Sequence, residues 1–271
     1  MIPRDHITAW RAHAPWVQDF QVEQDLVISR ALAEIFSNPL LRSSLAFRGG
    51  TALYKLFIKP AARYSEDIDL VQVSAEPIGP VMDALRATLD PWLGKSQWKQ
   101  TEGRVTLNYR FDSEDMPPVR LRLKVEINSR EHFTLFGRTS VPFAVSSRWF
   151  TGSAEIATFQ VDELLGTKLR ALYQRRKGRD LFDLAIALKT PGVNPARIVE
   201  AFLGYMEKED ALITRALFER NLAAKLTIPQ FAADIGPMLA PGYEWDMDKA
   251  MDEVSSGLIA LLPGEPWKRD A

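Results

Sequence analysis

Two aspartates, Asp67 and Asp69, stand one residue apart in a run, DIDLVQV, that reads as a strand. Side chains alternate faces along a strand, so both carboxylates project from the same side. Held that close, they repel each other unless a cation sits between them. Upstream lies Gly49-Gly50-Thr51, a turn in which two residues without side chains let a phosphate approach the backbone and Thr51 opens a helix with free N–H groups. Arg63 and Ser65 lie between turn and strand. Paired carboxylates beside such a turn suit a divalent cation and a nucleoside triphosphate.

Each feature also has a plainer reading. A Gly-Gly turn before a helix is more often only a turn, and D-x-D on a strand is a weak signal alone. Arg170, Arg175, Arg176, Lys177 and Arg179 fall within ten residues, and such a run is usually a solvated helix face. Arg179-Asp180 can be a helix start or a structural ion pair, and Lys168, beside a leucine stripe, can simply snorkel.

The elements that must position these residues follow from periodicity. Residues 17–36 carry apolar side chains at helical spacing and stop at Ser37-Asn38-Pro39. A short strand at 45–48 leads into the glycine turn, and a helix from Thr51 to about Phe57 ends before Pro60. A helix is expected over 77–93, and two alternating strands over 104–111 and 119–128 form an antiparallel hairpin with a long loop. In the second, Leu121, Leu123, Val125 and Ile127 face a core. Arg122, Lys124, Glu126 and Asn128 face the other way, which offers Glu126 as a third carboxylate. Residues 129–155 are weakly patterned, with a strand at about 141–145. Helices then follow over 161–176 and from 179 to about 188, and three or four more complete the chain. The order predicts an α+β domain with a mixed sheet over residues 1–155 and a helical domain over 156–271.

Composition narrows the classes. With 46% hydrophobic and 25% charged residues the chain is an ordinary globular protein. No apolar run approaches the ~20 residues of a membrane span, and the first residues lack the apolar core of a secretion signal, so no membrane partner and a cytoplasmic location are expected. The absence of cysteine removes disulfides, thiol catalysis and cysteine-ligated zinc. A net charge of −1 gives no bulk signal for nucleic acid.

Taken together, GGTAL, RYSEDIDL, the strand carboxylate Glu126 and LLGTKLRALYQRRKGRDLFDL resemble the polymerase β-like nucleotidyltransferase superfamily. More narrowly, they resemble the AbiEii/AbiGii toxin family of abortive-infection and type IV toxin-antitoxin systems, over about residues 45–190. The resemblance implies a toxin that transfers a nucleotide from a nucleoside triphosphate to an RNA acceptor, the 3′ end of tRNA, and so blocks translation. It implies Mg2+ or Mn2+ held by Asp67, Asp69 and Glu126, although the superfamily commonly carries aspartate at the third position. Gly49, Gly50, Thr51, Arg63, Ser65, Lys168 and Arg179 would meet the nucleotide, and Lys168 and Asp180 would join the catalytic set. Arg170, Arg175, Arg176 and Lys177 would grip RNA phosphates, and a separately encoded antitoxin would restrain the activity. Two alternatives remain open from the residues: transfer to a protein hydroxyl or a small molecule, and a non-catalytic nucleotide-binding module.

Overall fold

A computed structural model describes residues 2–268. The chain divides into two compact units that meet between Phe159 and Gln160.

In the first unit, among the described residues, seven strands form one mixed sheet: β1 Leu45–Arg48, β2 Asp67–Gln72, β3 Gln97–Thr101, β4 Arg104–Asp112, β5 Arg120–Asn128, β6 Arg138–Ser146 and β7 Thr151–Phe159. Their spatial order is β3-β4-β5-β2-β1-β7-β6. β1 pairs antiparallel with β2 and parallel with β7, while β2 pairs parallel with β5. β4 and β5 form the expected antiparallel hairpin. The helices of this unit are α1 Arg4–Trp10, α2 Asp19–Ser37, α3 Pro39–Ser44, α4 Gly49–Ala52, which continues as a π turn over Leu53–Phe57, and α5 Gly79–Leu93.

The core lies where α2 and α5 cover the apolar side of the strands. Val105, Leu107, Tyr109, Leu121, Leu123, Val125 and Ile127 are buried there, as are Val22, Leu26, Ile28, Leu32 and Ile35 of α2. α2 also carries buried polar residues, and one of them positions the site. The Gln24 amide donates to the carbonyls of Glu66 (3.2 Å), just before β2, and of Arg122 (3.0 Å) in β5, fastening the start of β2 to β5 beside Asp67.

Three strands depart from the sequence reading. β3, QWKQT, is exposed along its whole length at one edge of the sheet and so shows no alternation of apolar residues. β6 is the opposite edge and mostly exposed, which reduces it in the sequence to a fragment at 141–145. β7 is built largely from small residues and threonine, without an apolar stripe. The domain boundary placed at 155/156 therefore falls inside β7.

The second unit is helical among its described residues: α6 Val161–Gln174, α7 Gly178–Ala187, α8 Pro195–Glu207, α9 Arg215–Leu226, α10 Pro229–Ala233 and α11 Met247–Gly257, with short 3-10 turns. α6 and α8 approach closely at Gly166, where a side chain would run into the Ala201 methyl and the backbone of Ile198 and Phe202.

Candidate functional site

The sheet unit gathers three of the predicted carboxylates. Asp67 stands opposite Lys124 and Asp69 opposite Glu126 in the parallel β2–β5 register, so the four side chains share one face. That is the face opposite Ile68 and Leu70, which are buried. On the other flank Arg48 is the register partner of Asp69; its guanidinium donates to Glu131 at 2.6 Å.

The glycine turn closes the site from the β1 side. Gly49 adopts φ +82°, a conformation that disfavours any Cβ, and a side chain there would collide with the Asp69 carboxylate. A Cβ on Gly50 would meet the Arg63 guanidinium at 2.5 Å. Thr51 is buried, and its hydroxyl donates to the Asp67 carbonyl at 2.6 Å. With that hydrogen used, the 2.8 Å bond between Thr51 and Ser65 has Ser65 as donor. Thr51 thus ties the turn to the aspartate strand, and the half-buried Ser65 keeps its own lone pairs. Arg63 is buried, donates to the Tyr64 carbonyl at 2.9 Å and lies over the Tyr54 ring, so it braces the turn from beneath.

Charge in this cluster is incompletely balanced. Lys124 Nζ lies 3.0 Å from Asp67 Oδ2 and 3.4 Å from Glu126 Oε2, and Arg104 Nε lies 3.3 Å from Glu126 Oε1. Asp67 Oδ1 is buried without a hydrogen-bond partner. Burial pushes the Asp67 carboxyl above the ordinary range, and Lys124 only partly offsets it. Burial and the neighbouring Asp67 push Asp69 up as well. Burial works against the Lys124 charge, but Asp67, Glu126 and Asp69 more than offset this and hold its pKa above the usual value. The sequence pattern had placed Lys124 on this face only as a neighbour of Glu126; its two-residue spacing was the signal that it belongs between the acids.

A divalent ion fits the donor set in a limited way. Among the described residues no group of three or more His, Asp or Glu side chains is arranged to enclose a metal. What the sheet offers is Asp67 and Asp69, with one oxygen of Asp67 unsatisfied. Mg2+ is usually held by one or two carboxylates together with substrate phosphates and water rather than by an all-protein cage.

The second cluster lies wholly in the helical unit. Lys168 Nζ sits 3.2 Å from Asp180 Oδ1 and 2.9 Å from Asp183 Oδ2, with both aspartates fully buried and Lys168 only 7% exposed. Arg175 clasps Asp180 with two bonds of 2.6 and 2.7 Å. Burial alone would raise the Asp180 carboxyl, but Lys168 and Arg175 outweigh it and hold it below the usual value. Asp183 was missed in the sequence, although its spacing three residues beyond Asp180 puts both on one helix face. Arg179 turns to Asp234, with its amide 3.3 Å and its Nε 3.6 Å from that carboxylate.

The predicted RNA-gripping cations are mostly engaged. Arg170 is buried, donates to Glu209 at 2.9 Å and lies over the Tyr205 ring. Arg175 is held by Asp180, and Lys177 lies 3.3 Å from Asp234. Arg176 is exposed.

Comparison with solved structures defines the fold. MenT4, a nucleotidyltransferase toxin of Mycobacterium tuberculosis H37Rv, superposes with a TM-score of 0.69 at 16% identity, covering 96% of this chain and 90% of its own. A protein from H. pylori assigned as a nucleotidyltransferase gives 0.58 at 15% identity, covering 90% and 96%. At such identities the likeness establishes the fold: a mixed α/β nucleotidyltransferase fold. A search of curated proteins gives no match. The model of the family described as nucleotidyl transferase AbiEii toxin, type IV toxin-antitoxin system, matches residues 30–253, and the chain belongs to that family. Among the described residues no helix is long and apolar enough to cross a membrane.

Proposed function

We propose that this toxin-family nucleotidyltransferase moves a nucleoside monophosphate from a nucleoside triphosphate onto an RNA acceptor, the 3′ end of a tRNA, and thereby stops translation in the cytoplasm. The observation that carries the reading is the meeting of Asp67, Asp69 and Glu126 on one half-buried sheet face beside the Gly49-Gly50 turn, with Asp67 Oδ1 left without a partner. Asp67 and Asp69 would hold Mg2+ or Mn2+, which when bound supplies charge stabilisation to the attacking and leaving oxygens of an in-line displacement. The acceptor hydroxyl oxygen bonds to the α-phosphorus while the bond from that phosphorus to the β-phosphate bridging oxygen breaks. Pyrophosphate leaves with the electron pair, and Glu126 takes the hydroxyl proton. Gly49 and Gly50 make room for the Asp69 carboxylate and the Arg63 guanidinium, Thr51 and Ser65 fix the turn, and the backbone of the turn would meet the triphosphate.

The reading also gives Lys168 and Arg179 as contacts for the nucleotide, with the buried Asp180 orienting Lys168. Lys168 is an ammonium pre-positioned by two aspartates, and Arg179 is a half-buried guanidinium. A separately encoded antitoxin is the expected restraint, as a family of type IV toxin-antitoxin systems implies.

The test is incubation of the purified protein with total RNA, magnesium and each labelled triphosphate in turn. Label on RNA that disappears with Asp67→Ala supports the reading. Label on protein alone moves the acceptor to a protein hydroxyl. Absence of label with every triphosphate, in folded protein, overturns transfer to RNA.

A further inference from the structure

The sheet face that carries the carboxylates continues outward over β5, β4 and β3, and its composition is unlike that of the chain as a whole. The register puts Lys99 of β3, Arg104 and Arg110 of β4, and Arg120, Arg122 and Lys124 of β5 on that side. Asp112 and Glu126 are the carboxylates facing the same way on these three strands. Six cations against two acids stand out in a chain whose net charge is −1. All six except Lys124 are exposed. Arg120 pairs with Asp112 at 2.8 Å and Arg104 with Glu126. Arg110 bonds the neutral Gln97; among the described residues Lys99 and Arg122 form no ion pair, although the Arg122 charge reaches the Asp67 carboxyl and lowers it slightly.

One pairing on this face works against folding. Arg110 stands directly opposite Arg122 in the antiparallel ladder, and like charges so placed destabilise a sheet. A face needed only for solvation gains nothing from that opposition; a face that receives a polyanion does. Between the cations lie Thr106, Asn108 and Asn128, which can hydrogen-bond phosphate and ribose hydroxyls, and there is no aromatic or aliphatic residue among them. Protein interfaces are anchored by buried aromatic and aliphatic side chains, and single-strand binders by stacking aromatics. A cationic, hydrogen-bonding face without either suits a folded RNA held by its backbone. Along β5, Arg120 to Glu126 spans about 20 Å at the usual rise of a strand, ending at the candidate active site.

We propose that the solvated face of β3, β4 and β5 is the docking surface for the sugar-phosphate backbone of the acceptor RNA, with Lys99, Arg110 and Arg122 as its principal phosphate contacts. This rests on the RNA-acceptor reading above and assigns the grip to the sheet rather than to the basic run at 170–179, whose cations are largely engaged with acids.

The experiment measures binding of the full-length protein to a bulk tRNA preparation across a range of salt concentrations, together with KM for that tRNA and for the triphosphate. For a Lys99→Gln/Arg110→Gln double variant, the slope of log affinity against log salt is expected to fall by about one per contact removed. The KM for tRNA should rise at least about fivefold while KM for the triphosphate stays put. Arg110→Glu provides a signature that misfolding cannot imitate: tRNA affinity falls while Tm rises, because the new carboxylate pairs with Arg122. Unchanged slope and KM in these variants, with the wild type still labelling tRNA, would remove the docking surface and leave the function standing. Wild type that neither binds nor labels tRNA would remove both. Variants that keep tRNA binding but lose a co-expressed antitoxin would reassign the face to a protein partner and overturn the proposal.

Discussion

Asp67 and Asp69 in the sheet and Asp180 and Asp183 in the helices are both acid pairs with a lysine between or beside them, yet their surroundings push them in opposite directions. In the sheet, burial wins: both carboxyls are raised and one oxygen of Asp67 has no partner. In the helices, Lys168 and Arg175 win: Asp180 is lowered and its two oxygens are fully engaged. The first cluster is short of positive charge and open to an incoming cation. The second carries its own cations and is already balanced, so it holds structure as well as whatever part Lys168 plays with the nucleotide.

The largest expected effect belongs to the open cluster. Asp69→Ala or Asp67→Ala should reduce the rate of label transfer at least about a thousandfold, about 4 kcal/mol of lost charge stabilisation, while urea unfolding shifts by less than about 1 kcal/mol. A comparable loss of stability would erase the distinction between the clusters. Asp180→Ala should do the reverse in stability terms. Removing one member of a buried ion-pair network strands the remaining charges, and about 3 kcal/mol should disappear in the same urea measurement. A variant as stable as wild type would show that the helical cluster is as open as the sheet cluster.

A smaller effect is expected at the turn. Gly49→Ala forces a methyl group into a positive-φ position against the Asp69 carboxylate, costing about 1–2 kcal/mol and reducing transfer because Asp69 must move. If transfer is lost with no change in stability, the turn acts on the substrate rather than on Asp69. The least, and the most specific, is a pH effect. Because the Asp180 carboxyl is held below its ordinary 3.8 in the folded protein, the stability it contributes is fully present above that value and is lost as pH falls below it. The stability gap between wild type and Asp180→Asn should therefore be wide at pH 7 and shrink at about pH 3.

The residues in this contrast were legible in the amino-acid sequence more than the contrast itself, for identifiable reasons. Asp67, Asp69 and Glu126 could be placed on their strand faces because the facing apolar residues, Ile68 and Leu70 on one strand and Val125 and Ile127 on the other, alternate cleanly. Their adjacency could not, since parallel pairing of β2 with β5 joins segments far apart in sequence with no turn to fix the register. The balance of charge was also hidden. Periodicity places Lys124 and Asp183 on the correct faces but does not say which oxygen each satisfies. Edge strands β3 and β6 lack a buried side and so lack the pattern that reveals strands. The basic run at 170–179 looked free for RNA because its partners, Glu209 and Asp234, lie on segments distant in sequence.

The most direct test of the central claim, that the sheet carboxylates serve nucleotidyl transfer, is to compare triphosphates labelled at the α- and γ-phosphates as donors to tRNA with magnesium present. Label is expected on RNA from the α-position, none from the γ-position, and the α-signal should vanish with Asp67→Ala. Label arriving from the γ-phosphate, or an α-signal that survives Asp67→Ala, would contradict it.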